Sequence, residues 1–271
     1  MDSNDSKENQ EKYWQLLYSA TDDYRKESQK DFSARWAAWK LDLSEVEKYE
    51  VIGAILARIV TLGVEFSYSP MAWNHNLSPL ILRSITDAYI SMAWIFKDPL
   101  TRARQFIEFG LGQTKLEVEH RKMQIEKDGG NPKDDPVVMA KEKWINSQQY
   151  TFLTNVNVGN WSGLSTRKMA EEADCIDFYN YVYTPFSSAT HNMWNHLARF
   201  NLQYCANPLH NFHRIPVVTD LPSDIGDMLL AAKYVDKSFA LFDANTGVNV
   251  QKSNAFSNLK ERVSGIRIYR S

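Results

Sequence analysis

The sequence contains few cysteines and no segment typical of a secretory leader. Its two cysteines, Cys175 and Cys205, are too few for a disulfide framework and are typical of a protein from a reducing compartment. The first residues are polar and acidic, without an apolar run. We therefore expect no signal peptide and a cytoplasmic location.

Glycine, proline and net charge are also low. The 271 residues include 11 glycines and 9 prolines, which argues against a β-sandwich or barrel rich in turns. The formal net charge is -2, so the protein has no overall positive field that would attract nucleic acid. Any contact with RNA would need a local basic patch.

Long apolar runs without charges are absent as well. Residues 51–64 are apolar but too few to span a bilayer, and residues 77–96 carry Arg83 and Asp87. We interpret both stretches as core helices and expect no membrane contact.

Sequence motifs for phosphate loops, dinucleotide sites, zinc peptidases and serine hydrolases are missing. Cys205, His210 and His213 lie close in sequence, but their Cys-x4-His-x2-His spacing is not one of the known zinc patterns. We therefore expect neither a metal site nor a cofactor.

The chain does contain a series of helical patterns. Apolar residues recur at helical spacing over residues 7–27, and Trp36 and Trp39 belong to a continuation of this helix or to a short separate one. The only run that resembles a strand is 215–218. Further helices are predicted over residues 44–68, 78–97, 98–128, 137–153, from Ser165 onward, 177–183, 185–200 and 223–243.

These patterns predict an all-α protein with a single helical-bundle domain. We expect an N-terminal amphipathic helical segment over residues 1–43, a bundle core over residues 44–245 and a polar tail over residues 246–271. The loop 129–136 is the clearest internal break. The second half of the helix before it is rich in charge, and we expect that half to project into solvent.

The helix over residues 78–97 is apolar around most of its circumference, but Arg83, Ser84 and Asp87 lie in one sector. Arg83 and Asp87 are spaced i,i+4 and are expected to pair. Two interpretations remain open. The sector is either the solvent face of the helix or a buried polar site that needs partners.

A second group of polar residues surrounds His191, on the helix predicted over residues 185–200. A histidine flanked by hydroxyl groups is typical of a general base or an anion-binding group. The alternative is a structural histidine that bonds to a buried carbonyl. The candidates that accompany it are Tyr179, Tyr183, Ser187, Ser188 and Asn195.

Two blocks of the sequence, within about residues 45–200, carry a distinctive set of polar, aromatic and proline residues. These are Arg83-Ser84, Asp87, Pro99, Arg102-(x)3-Phe106, Trp161, Arg167, Met169-Ala170, Tyr179, Tyr183, Ser187/Ser188 and His191. The two blocks resemble the bacterial domain of unknown function 5677 family, which usually has glutamate where this chain has Asp87.

This resemblance implies an all-helical intracellular protein, similar in general shape to the HEPN (higher eukaryotes and prokaryotes nucleotide-binding) bundles. Many of those are metal-independent ribonucleases of phage defence and toxin systems, with an Arg-(x)4–6-His signature. No histidine of this chain has an arginine five to seven positions upstream. A nuclease would therefore need a non-local pair such as Arg83 with His191.

Two functions remain open at this point, and the sequence does not decide whether the protein is an enzyme. One is a metal-independent ribonuclease or phosphodiesterase. Its predicted catalytic residues are Arg83, Asp87, Tyr183 and His191, and its predicted substrate-binding residues are Ser84, Arg102, Tyr179, Ser187, Ser188 and Asn195.

The other function is that of a non-catalytic helical module in a defence or stress system, which binds a small ligand, another protein or a second copy of itself. This hypothesis predicts a contact surface at Trp36, Trp39, Trp73 or the charged helix 115–128.

Overall fold

Helices form most of the chain in the computed structural model, which describes residues 3–152 and 161–264, and the predicted all-α class is confirmed. Three 3-10 turns span Leu43–Glu45, Pro70–Ala72 and Pro132–Asp134, and a π-helical segment spans Tyr179–Tyr183. The α-helices are α1 (Ser3–Ala38), α2 (Val46–Ser67), α3 (Ser78–Ile95), α4 (Pro99–Lys127), α5 (Pro136–Phe152), α6 (Thr166–Glu172), α7 (Ile176–Phe178), α8 (Thr184–Thr190), α9 (Trp194–Phe200), α10 (Ile225–Thr246) and α11 (Ala255–Ser264).

Helix α2 lies at the centre of the core, where α1, α3, α4 and α10 pack against it. Most of its residues are apolar, and the side chains of Ile52 and Ile59 are fully buried. A helix that is apolar on nearly all sides must be covered by neighbours. The apolar run at 51–64 is therefore a core helix, as its sequence predicts. Among the described residues, no helix is long and apolar enough to cross a bilayer.

Helix α3 packs against α2 and α10 on one side and against α6 and α8 on the other. Leu82, Ile85 and Ile90 are fully buried between these helices. The π-helical segment also contacts α3. The polar residue Arg83 of α3 lies on the side that contacts the π-helical segment and α8.

Helices α4 and α5 form an antiparallel hairpin around the loop predicted at 129–136. The distal half of α4 lies beyond the main core, but α5 covers it, so the expected projection into solvent is only partly correct. Val118, Val138 and Ile145 form a small separate apolar cluster between the two helices. Near the connecting loop, Arg121 donates from Nε to Asp135 Oδ1 at 2.8 Å.

The prediction of one continuous helix over residues 185–200 is wrong, because this segment forms two helices, α8 and α9. Asn192 adopts a left-handed backbone with φ of 50°. The Asn192 N–H donates to the Ala189 carbonyl at 3.2 Å, and the Met193 N–H donates to the Ser188 carbonyl at 2.9 Å. These two bonds form a Schellman motif, for which asparagine is second only to glycine.

A two-stranded antiparallel sheet follows α9. Strand β1 (Leu202–Tyr204) pairs with β2 (Arg214–Pro216), with Gln203 opposite Ile215. The predicted strand-like run at 215–218 overlaps β2, whereas nothing in the sequence indicated β1.

The two ends of the chain pack on each other more than the sequence predicted. Residues 7–27 and Trp36 belong to the one helix α1, along which α11 lies, and Trp39 directly follows the last residue of that helix. Within the region expected to be a polar tail, Leu259 and Val263 of α11 are buried. Residues 265–271 of that tail, together with residues 1–2 and 153–160, lie outside the described residues.

A buried ion pair joins α1 to α10. The Arg35 side chain is 1% exposed and donates from Nε and Nη2 to the two carboxylate oxygens of Asp243, at 2.8 and 2.9 Å. Its Nη1 donates to the Asp31 carbonyl at 3.1 Å, and its guanidinium lies over the Phe239 ring. This pair, which the sequence did not reveal, fixes α1 against the core.

Candidate functional site

Arg83 of α3 lies half-buried against the segment that leads into α8. Its Nη1 donates to the Ser187 hydroxyl and its Nη2 to the Tyr183 hydroxyl. The guanidinium carbon is 3.3 Å from the centre of the Tyr183 ring, so the cation also stacks on this side chain. Arg83 therefore meets two other predicted site residues, Tyr183 and Ser187, that lie 100 and 104 positions later in the chain. We call this group, with Asp87, the Arg83 cluster.

The π-helical segment places the tyrosines of this cluster. The Thr184 N–H bonds to the Tyr179 carbonyl five residues earlier, and the Thr184 hydroxyl donates to the same oxygen at 3.0 Å. The wider turn stacks the Tyr179 and Tyr183 rings, with centroids 4.9 Å apart. Segments of this kind are rare in helices and occur often at functional sites.

The Ser187 hydroxyl presents lone pairs rather than its proton to Arg83. Its Oγ donates to the Tyr183 carbonyl at 3.2 Å, one turn earlier in the helix. A hydroxyl that has used its proton in this way is a pure acceptor toward the guanidinium.

Asp87 does not form the ion pair with Arg83 that the i,i+4 spacing predicts. Among the described residues, no carboxylate oxygen lies within 4.0 Å of the Arg83 guanidinium, which is turned toward the hydroxyls of Tyr183 and Ser187 instead. Burial raises the pKa of the Asp87 carboxyl, while the charge of Arg83 and a hydrogen bond from Tyr183 oppose that rise. Asp87 as a residue is exposed, although the surroundings of its carboxyl group are buried enough to raise its pKa.

Thr166, the first residue of α6, belongs to the same group and was missed by the sequence analysis. Burial raises the pKa of the Tyr183 hydroxyl, and a hydrogen bond from Thr166 lowers it in part. The charge of Asp87 raises it further and that of Arg83 lowers it. The sequence marked Ser165 only as a helix cap and gave no sign that the next residue faces Tyr183.

His191 lies at the C-terminal end of α8, one turn after Ser187. Its backbone N–H donates to the Ser187 carbonyl at 3.0 Å, and the residue is exposed. The backbone of His191 thus lies one turn from Ser187, whereas no hydrogen bond or ring contact of its side chain with the Arg83 cluster is found among the described residues. Asn195 does not share its face, because the helix breaks at Asn192, and its amide donates to the Ser188 hydroxyl at 2.9 Å.

Two other predicted substrate contacts have local partners. The Ser84 hydroxyl donates to the Leu80 carbonyl of its own helix at 3.0 Å. Arg102 donates from Nη1 to the Trp94 carbonyl at 2.6 Å and from Nη2 to Glu172 at 3.3 Å. Trp94 lies eleven residues beyond Arg83 on α3, about 16 Å along the axis, so Arg102 is not part of the Arg83 cluster.

The predicted tryptophan contact surface is only partly available. Trp73 is 1% exposed and its indole donates to the Phe66 carbonyl at 2.8 Å, so its assignment to a surface is wrong. Trp39 packs edge-on against Phe242 of α10. Trp36 is 44% exposed and is the one of the three that presents a broad apolar surface.

Metal-ligating side chains come together at a second place. Cys205, His210 and His213, which we set aside because of their spacing, each offer a ligand atom within 4.8 Å of the others. The hairpin of β1 and β2 brings them together, and this hairpin was not predicted.

The chemistry of the Arg83 cluster is that of an anion site beside a carboxylate. A guanidinium has five donors in a planar fork and cannot lose its proton, so it binds phosphate or carboxylate groups in two-point contacts. Here the fork is held by neutral hydroxyls and keeps its positive charge without a paired carboxylate among the residues described. Asp87 adds an acceptor one helical turn away.

Comparison with known proteins returned one family. The model of a family described as a family of unknown function (DUF5677) matches residues 49–205, more than half of the chain. The match extends from α2 to β1 and contains the whole Arg83 cluster and His191. No curated protein and no solved structure matches the chain.

Proposed function

The chain belongs to the family of unknown function (DUF5677), and from its Arg83 cluster we propose that it is a helical module that binds a small anionic ligand. The resemblance to HEPN bundles leads us to propose a bacterial defence or stress system as its setting. The observation that carries the binding proposal is the guanidinium of Arg83, which is half-buried and held by hydroxyls rather than by a carboxylate.

The charge of Arg83 supports this proposal. A cation removed from water loses hydration energy unless an opposite charge replaces it. The hydroxyls of Tyr183 and Ser187 orient the guanidinium but do not neutralise it. An anionic ligand would supply the missing charge at an arginine that is already oriented, so little side-chain entropy is lost on binding.

The neighbours of Arg83 indicate what else the ligand carries. Asp87 is an exposed residue whose carboxyl oxygens accept hydrogen bonds and, when ionised, repel a second negative group, so it favours a ligand with hydroxyl groups next to its anionic group. The stacked rings of Tyr179 and Tyr183 add an aromatic edge. A phosphate ester of a sugar or a nucleoside combines these features.

Calorimetric titration of the full-length chain tests the proposal, with orthophosphate and adenosine monophosphate as probes. We expect saturable binding of both, and tighter binding of the nucleotide because its ribose hydroxyls reach Asp87. A charged hydrogen bond contributes about 1.5–3 kcal/mol, so Arg83→Ala should weaken binding at least about tenfold.

Arg121→Ala is the matched control, because Arg121 is also an arginine of a long helix and pairs with Asp135 far from Tyr183 along the chain. It should bind both probes like the wild type. Binding that Arg83→Ala leaves intact, or no saturable binding of either probe, would contradict the proposal.

A metal-independent ribonuclease is the second candidate, because Ser187 links Arg83 to the turn that carries His191. In this reaction His191 accepts the proton of a ribose 2′-hydroxyl, whose oxygen then attacks the phosphorus. The bond to the 5′ oxygen breaks, that oxygen takes up a proton, and a cyclic phosphate remains. Arg83 stabilises the charge on the phosphate oxygens during the transfer.

Cleavage of a single-stranded RNA in the presence of EDTA tests this second candidate. Arg83→Ala and His191→Ala should each abolish most of the cleavage, whereas His120→Ala and Arg121→Ala, a neighbouring exposed pair on α4, should not. Cleavage that persists in both site variants would exclude this pair as the catalytic one.

A further inference from the structure

The hairpin of β1 and β2 ends in a loop that gathers three metal-ligating side chains. Cys205 follows β1 directly, His213 precedes β2 directly, and His210 lies in the loop between them. The Cys205 N–H donates to the His213 carbonyl at 3.0 Å, which places these two residues opposite each other at the loop end of the hairpin. The three ligand atoms lie within 4.8 Å of one another.

Two consecutive turns bring His210 back to this end. The His210 N–H donates to the Asn207 carbonyl at 3.0 Å, and the His213 N–H donates to the His210 carbonyl at 3.1 Å. The Asn207 side chain fixes the first turn by accepting a bond from the Leu209 N–H at 3.0 Å. The backbone of the loop, rather than chance contact of mobile side chains, therefore holds the three residues together.

The separation of the ligand atoms fits a tetrahedral metal. Cys205 Sγ lies 3.6 Å from His210 Nδ1. Bonds of about 2.3 Å to sulfur and about 2.1 Å to nitrogen at a tetrahedral zinc ion place these two atoms about 3.6 Å apart. The His210 and His213 rings, whose centroids are 5.3 Å apart, are exposed and can turn toward a common point.

The donor set selects the kind of ion. Thiolate and imidazole ligands favour zinc and similar transition metals, whereas magnesium and calcium prefer oxygen ligands. Three protein ligands leave a fourth tetrahedral position for water or an incoming group. We propose that Cys205, His210 and His213 form a binding site for one divalent metal ion of the zinc class, with an open fourth position.

This site lies at the C-terminal limit of the family region that carries the Arg83 cluster. The family match ends at Cys205, so two of the three ligands lie beyond it. A bound ion would tie both ends of the loop to its centre and hold the exposed side chains of Leu209 and Phe212 in place. Since the cysteine binds as thiolate, uptake of the ion would release the thiol proton.

Titration of the metal-free full-length chain with zinc and with cobalt(II) tests the proposal. We expect one zinc ion per chain by calorimetry and elemental analysis, and a cobalt complex with thiolate-to-metal absorption and tetrahedral bands. Cys205→Ser should remove the thiolate band. His210→Ala and His213→Ala should each weaken zinc binding at least about tenfold, the size of effect seen even for groups that only support a ligand.

Two matched variants show whether the loss is specific. Cys175→Ser removes the other free cysteine and His120→Ala an exposed histidine of α4, and both should bind zinc like the wild type. The loop lies outside the core, so the variants at Cys205, His210 and His213 should keep the wild-type circular dichroism and unfolding temperature in EDTA. A chain that takes up no stoichiometric zinc, or a Cys205→Ser variant that binds zinc and gives the wild-type cobalt spectrum, would overturn the proposal.

Discussion

Two arginines of this molecule lie between helices but differ in their partners, which are a carboxylate for one and hydroxyl groups for the other. Arg35 is 1% exposed and gives three of its donor groups to Asp243 and the Asp31 backbone. Arg83 is half-buried and gives two donor groups to the hydroxyls of Tyr183 and Ser187. Both guanidinium groups also lie over an aromatic ring, Phe239 and Tyr183 respectively.

The difference separates an arginine used for structure from one available to a ligand. The charge of Arg35 is neutralised in the folded chain by a two-point contact with Asp243, and the second carboxylate nearby, Asp31, accepts two bonds from Ser253, at 3.1 and 2.9 Å. The Arg83 fork is oriented through two donor groups, and its charge has no carboxylate partner within 4.0 Å among the described residues. We infer that the first site contributes to folding stability and the second mainly to binding.

The largest effect that this comparison predicts is on folding. Arg35→Ala leaves the mostly buried Asp243 with the exposed Lys252 as its remaining opposite charge, at 3.9 Å. Breaking a buried pair from one side costs about 3–5 kcal/mol, and we expect a loss near the lower end of this range. Urea unfolding should show this loss in the free energy of unfolding. Arg83→Ala is the control, with an expected loss of about 1 kcal/mol, because its hydroxyl partners keep other bonds. Equal losses in the two variants would remove the distinction.

The next effect is on ligand binding and depends on the shape of the Arg83 fork. Arg83→Lys keeps the charge but replaces the planar pair of donors with a single ammonium group. We expect it to bind adenosine monophosphate about tenfold more weakly than the wild type, since one charged hydrogen bond is lost. Calorimetry measures this, and binding equal to the wild type would show that charge alone, without the fork, is recognised.

The Arg83 cluster could be found from the sequence because its polar residues interrupt otherwise apolar helices. Arg83 and Asp87 stand out in α3, and the tyrosines and Ser187 precede and begin a helix with similar contrast. The association of these segments was one of two open interpretations, the other being that the polar sector of α3 is its solvent face. The direction in which Arg83 turns did not follow, since i,i+4 spacing favours Asp87 and only the packing of α8 on α3 supplies nearer hydroxyls.

Other features depended on contacts that no local pattern carries. Arg35 and Asp243 are 208 positions apart, and nothing near either residue indicates the other. The break at Asn192 lies inside a polar periodicity that continues through it, so the helix appeared unbroken. The metal-ligating group was set aside because its spacing was judged as if along one segment, whereas two strands and two turns bring it together.

A smaller effect is expected from the hydroxyl that holds Arg83. Tyr183→Phe keeps the ring under the guanidinium but removes the acceptor, and the loss of one such bond should lower the free energy of unfolding by about 1 kcal/mol. It also removes a bond that lowers the pKa of Asp87, so that pKa should rise. Carboxyl resonances followed by NMR against pH measure the shift. An unchanged Asp87 pKa would show that the hydroxyl does not reach the carboxylate.

The smallest effect concerns pH and separates the two arginine sites once more. The pKa of Asp87 is raised in the folded chain above its ordinary value of 3.8, so the folded state holds this proton more tightly than the unfolded state does. Its contribution to stability is therefore fully present below pH 3.8 and is lost as the pH rises through the folded pKa. Asp87→Asn removes this loss, so its unfolding temperature should gain on that of the wild type between pH 3.8 and neutral pH. Because Asp87 is an exposed residue, we expect this gain in unfolding temperature to be small. If the difference in unfolding temperature between the two proteins does not change with pH, the charge of Arg83 offsets the effect of burial on Asp87, and the Arg83 site is then as fully paired as the Arg35–Asp243 site.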